Sequence, residues 1–127
     1  MFSTPVLSNT TTYYAAATSP EGCITSPREA ITATINFVPA AIGGADKTGV
    51  SMCGRVDVAM SGMYVNQGGT IYPGQWNHIS GPNILFNDPT DPQATATPQT
   101  YGGTSIVRWT VTNPNTGCAG SDDVEIK

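Results

Sequence analysis

Charge is what this chain has least of. Lys, Arg, Asp and Glu make up only 11 % of its 127 residues, well below the usual quarter. The five cations, Arg28, Lys47, Arg55, Arg108 and Lys127, are scattered along the chain, and the net charge is −4. Nucleic acid is bound by clustered cations that displace counterions, so no nucleic-acid partner is expected. No apolar run approaches the ~20 residues of a membrane helix. The longest, Phe37–Ala45, is broken by Pro39, so no membrane insertion is expected. Met1-Phe2-Ser3 has neither the basic start nor the apolar middle of a secretory signal. Helix-favouring Lys and Glu number two and three.

Catalytic signatures are equally scarce. His78 is the single histidine, so there is no imidazole pair for zinc, and a structural or surface place beside Trp76 is expected. No G-x-S-x-G elbow occurs. Gly44-Ala45-Asp46-Lys47-Thr48-Gly49 has the glycine spacing of a phosphate loop, but Val50 stands where the lysine is required. Glycoside hydrolysis needs a cleft around paired carboxylates, which so small a sandwich rarely offers. No enzyme is expected.

What the chain does have is 18 Thr, 9 Ser, 14 Gly and 10 Pro. Thr suits a pleated surface and Gly and Pro punctuate turns, so the chain reads as all-β with many short connections. A hydrophobic share of 39 % with 8 % aromatics argues against disorder. One pattern occurs twice. Gly22-Cys23 precedes the alternating run to Ile35, and Gly117-Cys118 precedes Ser121 to Ile126. Each is a turn, a few polar residues, then a strand. A β-domain that finishes twice in one short chain predicts a segment from a string of extracellular β-domains.

Strands are expected at Tyr13–Ala17 and over Ile31, Ala33, Ile35 and Phe37, whose alternation has period two. The two make a hairpin, which is marginal alone in water. Pro39, Gly43 and Gly44 mark a boundary within Val38–Gly49, after which the pattern restarts. Further strands are expected around Val56–Met60, Gln75–Ile79, Ile84–Phe86, Ala94–Thr97 and Ser105–Thr112, closed by Val124 and Ile126. Val107, Trp109 and Val111 share one face. Short strands with turns between them predict a sandwich or barrel.

Thr11-Thr12-Tyr13-Tyr14, Gly22-Cys23, Ser26-Pro27-Arg28 and Ile31-Thr32-Ala33-Thr34-Ile35 resemble the C-terminal half of a bacterial immunoglobulin-like domain. Such domains repeat in giant surface proteins of gliding, type IX-secreting bacteria. From Gly44 the resemblance changes. Ala45-Asp46, Met52-Cys53-Gly54, Gly74-Gln75-Trp76, Ile79-Ser80-Gly81-Pro82, Phe86-Asn87-Asp88-Pro89, Arg108 to Asn113 and Cys118 to Val124 resemble a polycystic-kidney-disease-like (PKD-like) domain. The resemblance implies a partial Ig-like hairpin segment, residues 1–37, followed by a PKD-like β-sandwich, residues 38–127. It further implies a non-catalytic repeat of a secreted surface adhesin or gliding-motility protein. Its partners would be neighbouring β-domains of the same polypeptide, the type IX secretion machinery, and a surface glycan or protein.

Within the second domain, Cys53 and Cys118 are the disulfide candidates. A bridge would close a loop of 65 positions (118 − 53) and contribute roughly 4 kcal/mol. Cys53 precedes its strand whereas Cys118 lies in the last hairpin turn, and a regular immunoglobulin topology sets such positions at opposite ends. Cys23 is then the unpaired thiol, its partner among the N-terminal strands that the first domain lacks. Trp76 and Trp109 are expected in the core, the competing use being a sugar-stacking platform. Tyr64, Tyr72 and Tyr101 sit among Gly, Asn and Gln and are the candidates for exposed ligand contact. Asp88, Asp91, Asp122 and Asp123 are calcium candidates, since calcium takes six to eight oxygens and stiffens strings of β-domains. Against that, Asp before Pro is ordinary turn chemistry. A carbohydrate-binding module, or an accessory domain of a secreted hydrolase, is the alternative to a structural repeat.

Overall fold

The computed structural model describes residues 3–49, 52–54, 56–67 and 70–127; Val50 and Arg55 lie outside them. No α-helix occurs among the described residues. The chain divides into two compact units, Met1–Phe37 and Val38–Lys127.

Unit 1 is a hairpin of β1 (Thr11–Ala15) and β2 (Glu29–Ala33), paired antiparallel from Thr11↔Ala33 to Ala15↔Glu29. The register puts Tyr13, Ile31 and Ala33 on one face and Thr12, Tyr14, Ala30 and Thr32 on the other. The Thr12 and Thr32 hydroxyls meet at 3.0 Å across the second face. The connection is tied by the amides of Ser19 to the Cys23 carbonyl (2.8 Å) and of Thr25 to that of Ala17 (2.9 Å). Both strands sit earlier than the alternation alone suggests. Apolar alternation runs on to Phe37, but the ladder ends at Thr11↔Ala33, and beyond it the Ile35 amide donates to the Thr10 hydroxyl (3.1 Å) instead of to a strand carbonyl. No described residue of unit 1 is buried; Tyr14 is 65 % and Ile31 56 % exposed.

Unit 2 is a β-sandwich. One sheet has the order β10-β9-β6 and the other β3-β8-β7. The strands are β3 (Val58–Ala59), β6 (Gly74–Ser80), β7 (Ile84–Phe86), β8 (Thr95–Pro98), β9 (Ser105–Thr112) and β10 (Ala119–Ile126). A further hairpin, β4 (Val65–Gln67) with β5 (Thr70–Tyr72), is inserted before β6. Strand β9 is central because every second residue, Ser105, Val107, Trp109 and Val111, is buried. These meet Trp76 and Val124 from its own sheet and Val58, Ile84 and Ala96 from the facing one. Trp76 and Trp109 are direct cross-strand partners, with ring centroids 5.1 Å apart. Phe86 stacks on Trp76 at 5.8 Å. Gly74 makes room for this pair, because a Cβ there would overlap the Trp109 indole. At the β9–β10 turn, the Gly117 amide donates to the Asn113 carbonyl (2.8 Å) and its φ of +73° favours glycine.

The free edge of β10 is covered by residues 39–47. They form a strap running parallel to β10, with Lys47 bridged to Ile126. The Lys47 amide donates to the Glu125 carbonyl (2.7 Å), and the Lys127 amide donates to the Lys47 carbonyl (3.0 Å). Asp122 Oδ2 accepts from the Gly43 amide and Asp46 Oδ1 from the Glu125 amide, each at 2.8 Å. Pro39 lies over Gly120, where a Cβ would overlap its carbonyl. Covering an edge in this way withholds its unpaired amides and carbonyls from other strands.

Candidate functional site

The expected Cys53–Cys118 bridge is not formed; Cys23, Cys53 and Cys118 are all free. Geometry forbids the pairing. Cys53 lines a cleft with Ser105 and Ile126, a cross-strand pair at one end of the β9–β10 hairpin. Cys118 adjoins Ala119, whose partner Thr112 closes the other end. Seven strand steps along β9 separate these ends, roughly 24 Å, whereas a disulfide needs its Cα atoms within about 7 Å. Cys23 is exposed in the turn of unit 1.

The four carboxylates set aside for calcium do not converge. Asp88 and Asp91 lie between β7 and β8 and hold their own loop. Asp88 Oδ1 accepts from the Thr90 hydroxyl (2.7 Å) and amide (2.8 Å), and Asp91 Oδ1 accepts from the Gln93 amide (2.8 Å). The Thr90 hydroxyl, followed by its amide, keeps the Asp88 carboxyl below the usual aspartate range. Successive residues of β10 point to opposite faces, so Asp122 turns to the strap while Asp123 turns outward. There Arg108 Nε and a terminal nitrogen donate to Asp123 at 2.6 and 2.8 Å. That charge-assisted fork lowers the Asp123 pKa and raises that of Arg108. Among the described residues, no three His, Cys, Asp or Glu side chains are grouped to hold a metal ion.

The 88–92 loop is a receptacle for core donors. Trp76 donates its amide to the Pro89 carbonyl (2.7 Å) and its indole Nε1 to that of Pro92 (3.3 Å). Trp109 Nε1 donates to the Met63 carbonyl at 3.1 Å. With exposures of 1 % and 0 %, neither tryptophan offers a face to a sugar. His78 stands opposite Val107 with its Nε2 buried and without a hydrogen-bond partner. A surface place or a satisfied structural one is the expectation, and the unsatisfied Nε2 departs from it.

The three tyrosines part company. Tyr64 packs edge-on to Trp109 with centroids 6.4 Å apart, and its hydroxyl donates to the Thr90 carbonyl at 3.2 Å. Tyr72 lies in β5, not in a loop, and packs against the core. Tyr101 is 77 % exposed in the β8–β9 turn. It forms one lip of a cleft of about 240 Å³, whose walls include Met52, Val58, Ile84, Pro98 and Ile126. That cleft lies between the two sheets at one end of the sandwich. Its described walls are mostly apolar, with Cys53, Ser105 and Lys127 among them, so it can shelter an apolar group.

Residues 1–36 match the family described as Ig-like domain, CHU_C associated. The match ends at the last residues of unit 1 and supports an Ig-like structural repeat. No curated protein matches the chain. No helix among the described residues is long and apolar enough to cross a membrane.

Proposed function

We propose that this chain is a non-catalytic structural and adhesive repeat segment of a large secreted or cell-surface protein. The observation that carries the reading is the Ig-like match over residues 1–36, joined directly to a second unit that has its own sandwich core. The resemblance of unit 2 to PKD-like domains adds to it. So does the engagement of its acidic and indole groups within the fold, where they hold turns, strap and core. In this reading the partners are neighbouring β-domains of one polypeptide and a surface glycan or protein. Export is by the type IX machinery to the outer surface, and gliding motility is the process served.

The test is protease shaving of intact producing cells, followed by detection with an antibody against unit 2. Release of reactive fragments without lysis is expected; a signal confined to the cytoplasm would overturn the reading. A glycan array run on the same protein separates the carbohydrate-module alternative. Specific binding that is lost on Tyr101→Ala would favour it over the spacer.

A further inference from the structure

Unit 2 receives and releases the chain at opposite ends of a single pair of segments. The strap begins beside Gly120, where Pro39 abuts it, and finishes at Lys47 beside Ile126. Strand β10 runs the same way, from Ala119 to Ile126, and the unit ends at Lys127. Tension between the two ends of the unit therefore drags the strap one way and β10 the other, along their common axis. Neither segment can leave by peeling. The bonds from Gly43 to Asp122, Glu125 to Asp46, Lys47 to Glu125 and Lys127 to Lys47 are strained together instead of one after another. The Lys47 ammonium also donates to Ser61 Oγ at 2.9 Å and ties the end of the strap to the segment before β4.

We propose that the strap and β10 form a shear clamp that makes unit 2 resist tension applied between its ends. The proposal rests on the reading of the chain as a spacer in a long surface protein and gives that spacer a mechanical property. Forced unfolding is governed by the unfolding barrier and not by equilibrium stability, so the clamp acts on rate and leaves the core unchanged.

The test stretches the full chain between reference domains of known unfolding force, along two axes. In the first, handles are at the two termini, which shears strap against β10. In the second, Cys23→Ser and Cys53→Ser leave Cys118 as the attachment point, and tension runs from the N-terminus to Cys118. Cys118 lies at the Gly120 end, so this axis opens strap and hairpin from one pole and loads the bonds in turn. Unfolding at about half the force or less is expected along the second axis, with unchanged denaturant stability. Along the first axis, Lys47→Pro, which removes the amide to Glu125, lowers the force by about the same factor. Asp122→Ala does so less, and serves where the proline variant does not fold. Equal forces along both axes, or Asp122→Ala at wild-type force, would overturn the clamp. Such a result leaves surface exposure by protease shaving untouched, so failure of the clamp and failure of the spacer reading are told apart.

Discussion

Unit 1 and unit 2 are written in the same residues and reach opposite outcomes. Both have Thr-rich strands with period-two alternation, both turn through Gly-Cys, and both pair antiparallel. In unit 2 the apolar face of β9 meets a second sheet, and Trp76, Val107, Trp109, Val111 and Val124 lose essentially all contact with water. In unit 1 the equivalent face, carrying Ile31, meets no second layer of its own, and none of its described residues is buried. Alternation specifies a strand and its two faces; only an opposed sheet turns one face into a core. Fully burying a side chain of Val or Leu size stabilises by about 1.5–3 kcal/mol, a gain that unit 2 collects repeatedly.

That contrast can be broken most forcefully at Trp109. Trp109→Ala removes a fully buried ring and should cost about 3–5 kcal/mol, read from denaturant unfolding followed by the remaining Trp76 emission. A loss within experimental error would mean that the indole pair is not the centre of the core. Gly74→Ala comes next. Its Cβ would overlap the Trp109 indole, and overpacking of this sort costs about 1–3 kcal/mol, seen as a lower melting temperature with the sheet intact by circular dichroism. A smaller effect is expected at the surface pair. Because Arg108 lowers the Asp123 pKa, the stability gained from the pair is full above the ordinary aspartate pKa of about 3.9. It is lost as pH falls through the lower folded value. Asp123→Asn should flatten that acid limb slightly, the pair being half exposed; an unchanged pH–stability profile would show that the pair contributes nothing. Least of all should change at Ile31→Ala in unit 1, within about 0.5 kcal/mol of wild type. A large cooperative loss there would show that unit 1 draws on a core after all.

Much of unit 2 was legible because its signals are local. Ile84–Phe86 and Ser105–Thr112 fall on β7 and β9 as alternation and flanking turns suggest, and Trp109 in phase with Val107 and Val111 points inward as that phase requires. Strand β10 begins earlier than Val124, since Gly120, Ser121, Asp122 and Asp123 carry no apolar alternation and are held by the β9 ladder. The β4–β5 hairpin was missed although Gly68-Gly69 between Val65–Gln67 and Thr70–Tyr72 is a two-residue turn signal. The strap was beyond local reading. Pro39, Gly43 and Gly44 announce a loop, while the bonds that order it run to residues 79 positions away. The same limit governs the acidic residues: Asp122 looks like a calcium ligand in a row of letters, and becomes an amide acceptor once two distant segments lie side by side. The cysteines fail for a related reason, since membership of one domain says nothing about which pole each thiol occupies.

The pole-to-pole course of the chain through unit 2 also makes it a store of length. Its folded span along β10, eight residues at about 3.4 Å each, is roughly 27 Å. The unit holds 90 residues, 38 to 127, and at about 3.3–3.6 Å per residue an opened chain reaches roughly 300 Å. In the spacer reading proposed above, a string of such units would be a short, stiff tether under ordinary pull. Under a sudden overload it would lengthen one unit at a time by about tenfold per unit, absorbing the jolt before any covalent bond is strained.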